Sequence, residues 1–142
     1  MVKVEVKEIA VANDGSYALV LLSTAEGEIV PVSIDLLQAR AIMIARTKEK
    51  FARPLTHDLL LDIIKILNAK ISRIEITDLI EGTYYAKLIL ENRGLEFEID
   101  ARPSDAIALA VKQDIDIFIA KDIVEKNSLV EEEFFPKGAA QA

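Results

Sequence analysis

The chain has 142 residues, of which 51% are hydrophobic and 29% charged, a size and composition that suit one domain around a single core. It contains no cysteine, which excludes disulfides, thiolate nucleophiles and cysteine-ligated zinc and leads us to expect a cytoplasmic location. Lys and Arg total 17 against 24 Asp and Glu, and the resulting net charge of -7 opposes casual binding to a phosphate backbone unless local basic patches or bound cations reverse the field.

In chain order, the alternation of Val2 to Val11 predicts a half-buried strand, and Asp14-Gly15 is a turn signal leading into a second strand at Tyr17 to Leu22. Gly27 marks the next turn, followed by a strand at Glu28 to Ser33 and a helix at Leu36 to Thr47. Thr56 to Asn68 reads as a helix with Thr56 as its cap and with Leu59, Leu60, Ile63, Ile64 and Leu67 on one face of period 3.6. Strands are expected again at Ile71 to Leu79, at Tyr84 to Leu90 after the Glu81-Gly82 turn, and at Leu95 to Ile99 after Gly94. A helix over Pro103 to Gln113 follows, then a short strand at Ile115 to Ala120, one or two short acidic helices within Asp122 to Phe135, and a frayed tail over 137–142. No run approaches the roughly 18 apolar residues of a membrane span, so no membrane partner is expected.

The chain also repeats itself at an offset of 67 residues, the step from Gly15 to Gly82. Gly15-Ser16-Tyr17 falls on Gly82-Thr83-Tyr84, Gly27 on Gly94, Lys3 on Lys70, and Ala39 and Ala41 on Ala106 and Ala108, with no gap. Two copies are too few for a solenoid. The expected fold is therefore α+β: one pseudo-symmetric domain over 1–136, built from duplicated β-β-β-α units at about 3–45 and 70–112, with a mostly antiparallel sheet.

Two helix entrances concentrate the polar chemistry. In Ile99-Asp100-Ala101-Arg102-Pro103-Ser104-Asp105, Pro103 suits the first turn of a helix, Ser104 or Asp100 could cap it, and Asp105 faces the positive end of the helix dipole. Capping does not account for Arg102 or for two aspartates. Arg53-Pro54-Leu55-Thr56-His57-Asp58 repeats the same grammar at the earlier helix. If the two entrances converge, Asp58, Asp100 and Asp105 gather carboxylates that suit Mg²⁺, Mn²⁺ or Ca²⁺, Arg53 and Arg102 supply anion forks, and His57, the one histidine, can move a proton near neutral pH. Arg40, Arg46, Lys48, Lys50 and Arg53 form the one local basic cluster and the expected nucleic-acid edge.

These two segments, together with Gly82-Thr83-Tyr84-Tyr85-Ala86, resemble the signature of the bifunctional nuclease domain family, and the likeness runs from the first strand to Ile119. The resemblance implies a duplicated α+β domain, a homodimer, and a site at His57, Asp58, Asp100, Arg102, Ser104 and Asp105. It also implies cleavage of RNA and DNA, the activity of the family's plant members. One position departs from the family pattern, because Gln38-Ala39 stands where a Glu-Ala pair is expected.

The resulting expectation is a metal-assisted phosphodiesterase with little sequence preference and no organic cofactor. Asp100, Asp105 and Asp58 would hold the cation, His57 would transfer protons, and Arg102 would steady the phosphorane charge. The rival is a non-catalytic dimeric module that binds protein or ligand and whose Arg/Asp signature is a structural lock. High Ile, Glu and Lys content without cysteine also suits a heat-adapted source.

Overall fold

The computed structural model describes residues 1–130. Its elements are β1 (Val2–Val11), β2 (Ala18–Ser23), β3 (Glu28–Ile34), α1 (Leu36–Thr47), α2 (Thr56–Ile66), β4 (Ala69–Ile80), β5 (Thr83–Asn92), β6 (Leu95–Ala101), α3 (Pro103–Gln113), β7 (Ile117–Ile119), α4 (Lys121–Asn127) and β8 (Leu129–Val130). Three strands followed by a helix thus occur in both β1-β2-β3-α1 and β4-β5-β6-α3. The strands form one sheet in the order β6-β5-β4-β7-β1-β2-β3-β8. Every neighbouring pair is antiparallel except β4 with β7, so the class is α+β.

Local chemistry explains the hairpins of the second run. The loops of β4-β5 and β5-β6 have two residues each, and both residues lie at positive φ: Glu81 at 51° and Gly82 at 78°, Arg93 at 54° and Gly94 at 77°. This is the twist that two-residue hairpins need, and glycine supplies it without a steric penalty.

One buried cluster joins both runs of strands with all four helices. Ala39 and Ala45 of α1 and Ala106, Ala108 and Ala110 of α3 are buried small residues, which let these two helices pack closely on each other. The sheet curls enough for the Tyr84 hydroxyl of β5 to donate to the Pro31 carbonyl of β3 at 3.2 Å, although four strands separate the two in the sheet order. Burial raises the Tyr84 pKa.

Three expectations need correction. The helical face expected to be buried in α2 is largely exposed: Leu59, Leu60, Ile63 and Leu67 face solvent, Ile64 is half-buried, and Leu61 supplies the buried contact. The apolar arc of this helix is wider than the surface available to it, and the core takes the side of Leu61 and Ile64. Thr56 is the first helical residue rather than the cap; Asp58 reaches back instead, accepting the Leu55 N–H at 2.8 Å. Of the one or two short acidic helices expected within Asp122 to Phe135, the described residues hold α4, and the strand β8, which was not expected, follows it and pairs with β3. The remainder of that segment and the tail over 137–142 lie outside the described residues.

Candidate functional site

The beginnings of α2 and α3 meet. Arg102 precedes α3 with extended backbone, φ -67° and ψ 140°, and Pro103 opens the helix, where its missing N–H costs nothing. Asp105 then stands in the first turn. Its Oδ2 accepts from Arg102 Nε at 2.8 Å, and its Oδ1 lies 3.1 Å from His57 Nε2. Burial alone would raise the Asp105 pKa, but the bonds from Arg102 and His57, with their charges, outweigh it and hold the carboxyl below its ordinary value. Arg102 is correspondingly raised by its bond to Asp105. An ionised carboxylate can only accept, so His57 presents Nε2–H to Asp105, and the neutral ring keeps its Nδ1 lone pair for another proton.

Asp58 makes a second tie between the same helices. It forms an ion pair with Lys112 near the end of α3, two turns beyond Asp105. The bond from Lys112, followed by the Leu55 N–H, lowers the Asp58 pKa.

His57 lines a cavity of about 550 Å³ between α1, the start of α2 and α3; its walls include Leu37, Ile44 and Leu55, with the cations Arg40 and Lys112. It adjoins a second cavity of about 480 Å³, which shares Ala45, Pro54 and Lys112 with it and adds Lys48, Lys50, Phe51 and Arg53. A third cavity of about 380 Å³, lined by Gln38, Tyr84, Tyr85, Asp100, Arg102 and Ser104, opens at the entrance of α3. The chain Arg102–Asp105–His57 therefore links the third cavity to the first.

The structure brings His57, Arg102 and Asp105 into one hydrogen-bonded set and places Asp58 beside it, engaged with Lys112. Asp100 lies apart at the end of β6, facing the third cavity. Ser104 is not a cap: it is buried, and its hydroxyl has no hydrogen-bond partner among the described residues. Among the described residues no three His, Cys, Asp or Glu side chains converge to hold a metal. Asp58 is engaged with Lys112 and Asp105 with Arg102 and His57, while Asp100 is exposed, so the expected carboxylate cage does not fit this arrangement. Gln38 is engaged at the start of α1, where its Oε1 accepts the Asp35 N–H at 3.0 Å while Asp35 accepts the Gln38 N–H at 2.8 Å, a capping box.

The basic cluster divides in the same way. Arg46 reaches the Lys7 carbonyl and pairs with Glu8 at 3.7 Å, and Lys48 donates to the Val111 and Lys112 carbonyls at 3.1 Å, capping the end of α3. Arg40, Lys50 and Arg53 are exposed and line the two adjoining cavities. Lys112 was missed from sequence. It lies seven residues after Asp105 on one face of a helix, and that spacing was the available signal.

A fold of this class, with a charged site between two helix entrances over a curled antiparallel sheet, can be compared with known families. The bifunctional nuclease domain pattern matches residues 20–132, and the chain belongs to that family. Uncharacterized protein Rv1829 of Mycobacterium tuberculosis is 33% identical over 131 residues, which cover 92% of this chain and 78% of that protein. Bifunctional nuclease 2 of Arabidopsis thaliana is 27% identical over 114 residues, 77% of this chain and 35% of the plant protein. Bifunctional nuclease 1 of the same plant is 28% identical over 98 residues, 67% of this chain and 30% of that protein. The chain thus spans about a third of each plant relative.

Proposed function

We propose that the chain cleaves phosphodiester bonds in RNA and DNA with little sequence preference. The observation that carries this reading is the set Arg102–Asp105–His57 beside a cavity whose rim holds Arg40 and Lys112. The phosphate lies against those two cations, which offset the charge that grows on its oxygens as the fifth ligand arrives. His57 Nδ1 takes the proton of the attacking water, and Asp105 orients the ring and stabilises the imidazolium that forms; the P–O bond to the leaving sugar oxygen then breaks, that oxygen takes a proton from solvent water, and His57 returns its own proton to solvent. Arg102 keeps Asp105 ionised. The described residues offer no metal cage, so no step is assigned to a cation; Mg²⁺, Mn²⁺ and Ca²⁺ belong in the assay as variables.

A specific observation also favours the rival reading. Asp58 and Asp105 both tie α2 to α3, so the same residues serve as a lock in a non-catalytic module. Labelled single-stranded RNA and DNA, incubated with wild type, His57→Ala and Asp105→Asn in each cation or in EDTA, separate the two. The nuclease reading expects cleavage that falls by about two to four orders of magnitude in His57→Ala, whose fold is retained. Equal cleavage by all three proteins, or none by the wild type, overturns it, and a much lower melting temperature for Asp105→Asn supports the lock.

A further inference from the structure

The loop from Lys48 to Leu55 is fixed at both ends. Lys48 leaves α1 with left-handed backbone, φ 56°, and its ammonium donates to the Val111 and Lys112 carbonyls of α3 at 3.1 Å, while the Leu55 N–H donates to Asp58 at 2.8 Å. Phe51 stands between these anchors, 42% exposed, and lines the cavity of about 480 Å³ that adjoins the one beside His57. Lys48, Lys50, Arg53 and Lys112 line that cavity against two acids, Glu49 and Asp58, and Asp58 is already paired with Lys112. In a chain of net charge -7 the field is thus locally reversed. Other exposed aromatic rings lack this setting. Phe97 is as bare but stands between Glu96 and Glu98 in sequence, and Tyr85 shares its cavity with Asp100.

We infer that Phe51 is a stacking platform for a base of single-stranded nucleic acid, next to the phosphate that lies beside His57. The inference rests on the phosphodiester reading of that adjoining cavity and names the form of the substrate. An aromatic ring can cover the face of a base only where the strand is unpaired, because in a duplex the neighbouring pairs cover both faces and extruding a base costs stacking and pairing energy. Every base has such a face, so the ring gives affinity with little sequence preference. Lys50 and Arg53, exposed on either side of Phe51 in sequence, meet the phosphates that flank the stacked base. Because the loop is anchored to α3 and to the start of α2, little ordering remains to be done on binding. Phe51 touches the substrate but no reacting atom, so its contribution falls on affinity and not on the chemical step.

The chain has no tryptophan, so Phe51→Trp places a single indole at the platform. Its emission is expected to be quenched by a deoxyadenylate single strand with phosphorothioate linkages, in EDTA, and to stay unchanged with the same strand in duplex with deoxythymidylate. Anisotropy of the fluorescein-labelled single strand is expected to show that Phe51→Ala weakens binding about 5- to 150-fold, the weight of one stacked base, while Phe51→Trp keeps the wild-type affinity. A strand of equal length whose sugars carry no bases should bind wild type and Phe51→Ala alike. Both variants should melt as the wild type does, since the ring is exposed. Equal affinity of wild type and Phe51→Ala for the single strand overturns the inference. So does an equal loss for the duplex or the baseless strand, which makes the loop a general anion surface, and so does a wild type that binds no strand. Cleavage of an unmodified strand separates this inference from the reading beneath it. Cutting that Phe51→Ala leaves unchanged in KM keeps the nuclease and removes the platform, whereas quenching and selective loss of affinity in a protein that cuts nothing keep the platform and remove the nuclease.

Discussion

Asp58 makes both of its interactions as an anion: it accepts the Leu55 N–H at the start of α2 and pairs with Lys112 on α3. Its pKa is lowered in the fold, first by the Lys112 bond, so the unfolded chain takes up a proton there more readily than the folded one. The associated stability is present above the ordinary value of 3.8 and is lost as pH falls through the lower folded value. Melting temperature measured from neutral pH down to pH 3 should therefore drop less steeply for Asp58→Asn than for wild type, with the neutral-pH value of the variant already reduced. Parallel acid limbs would show that Asp58 contributes nothing through its charge. Such side-chain roles were only half legible in sequence. The motif marked Asp58, His57, Arg102 and Asp105 as a group, but whether an aspartate meets a cation, a histidine or a metal depends on how two helices cross, which no local pattern encodes.

At the scale of elements, most boundaries followed from turn chemistry and periodicity. The Glu81-Gly82 and Gly94 signals place two hairpins, and Leu36–Thr47 and Pro103–Gln113 match the expected helices. Helix α2 shows where periodicity stops informing: its apolar arc was visible, but which part of that arc meets the core was not. Helix α1 and the loop from it to α2 carry a testable division of labour. Arg46 and Lys48 are engaged with carbonyls and with Glu8, whereas Arg40, Lys50 and Arg53 face the adjoining cavities. If nucleic acid lies there, each lost phosphate contact should flatten the dependence of log affinity on log salt by about 0.7 for a single strand. Fluorescence anisotropy with a labelled oligonucleotide across a KCl series should show that change for Arg40→Ala and Arg53→Ala and little change for Arg46→Ala. Equal effects at all three positions would indicate only a diffuse field.

For the whole molecule, the decisive element is the least conspicuous one. Strand β7, three residues long, lies between β4 and β1, parallel to the first and antiparallel to the second, and so joins the two runs of strands. Its central place was not legible, because a short apolar segment looks the same at an edge as in the middle of a sheet and only long-range pairing distinguishes them. Ile119 is fully buried there, within the one cluster that both runs share. If the runs were separate units, a cavity at β7 would loosen their junction and leave each to melt by itself. With a single core, the same cavity lowers the stability of everything together. Ile119→Ala should therefore cost about 2–5 kcal/mol, read from denaturant midpoints at fixed protein concentration, while unfolding remains one transition with an unchanged slope. A second transition in the variant would mean that β4-β5-β6-α3 holds its structure without β1-β2-β3-α1, and that β7 fastens two units rather than completing one.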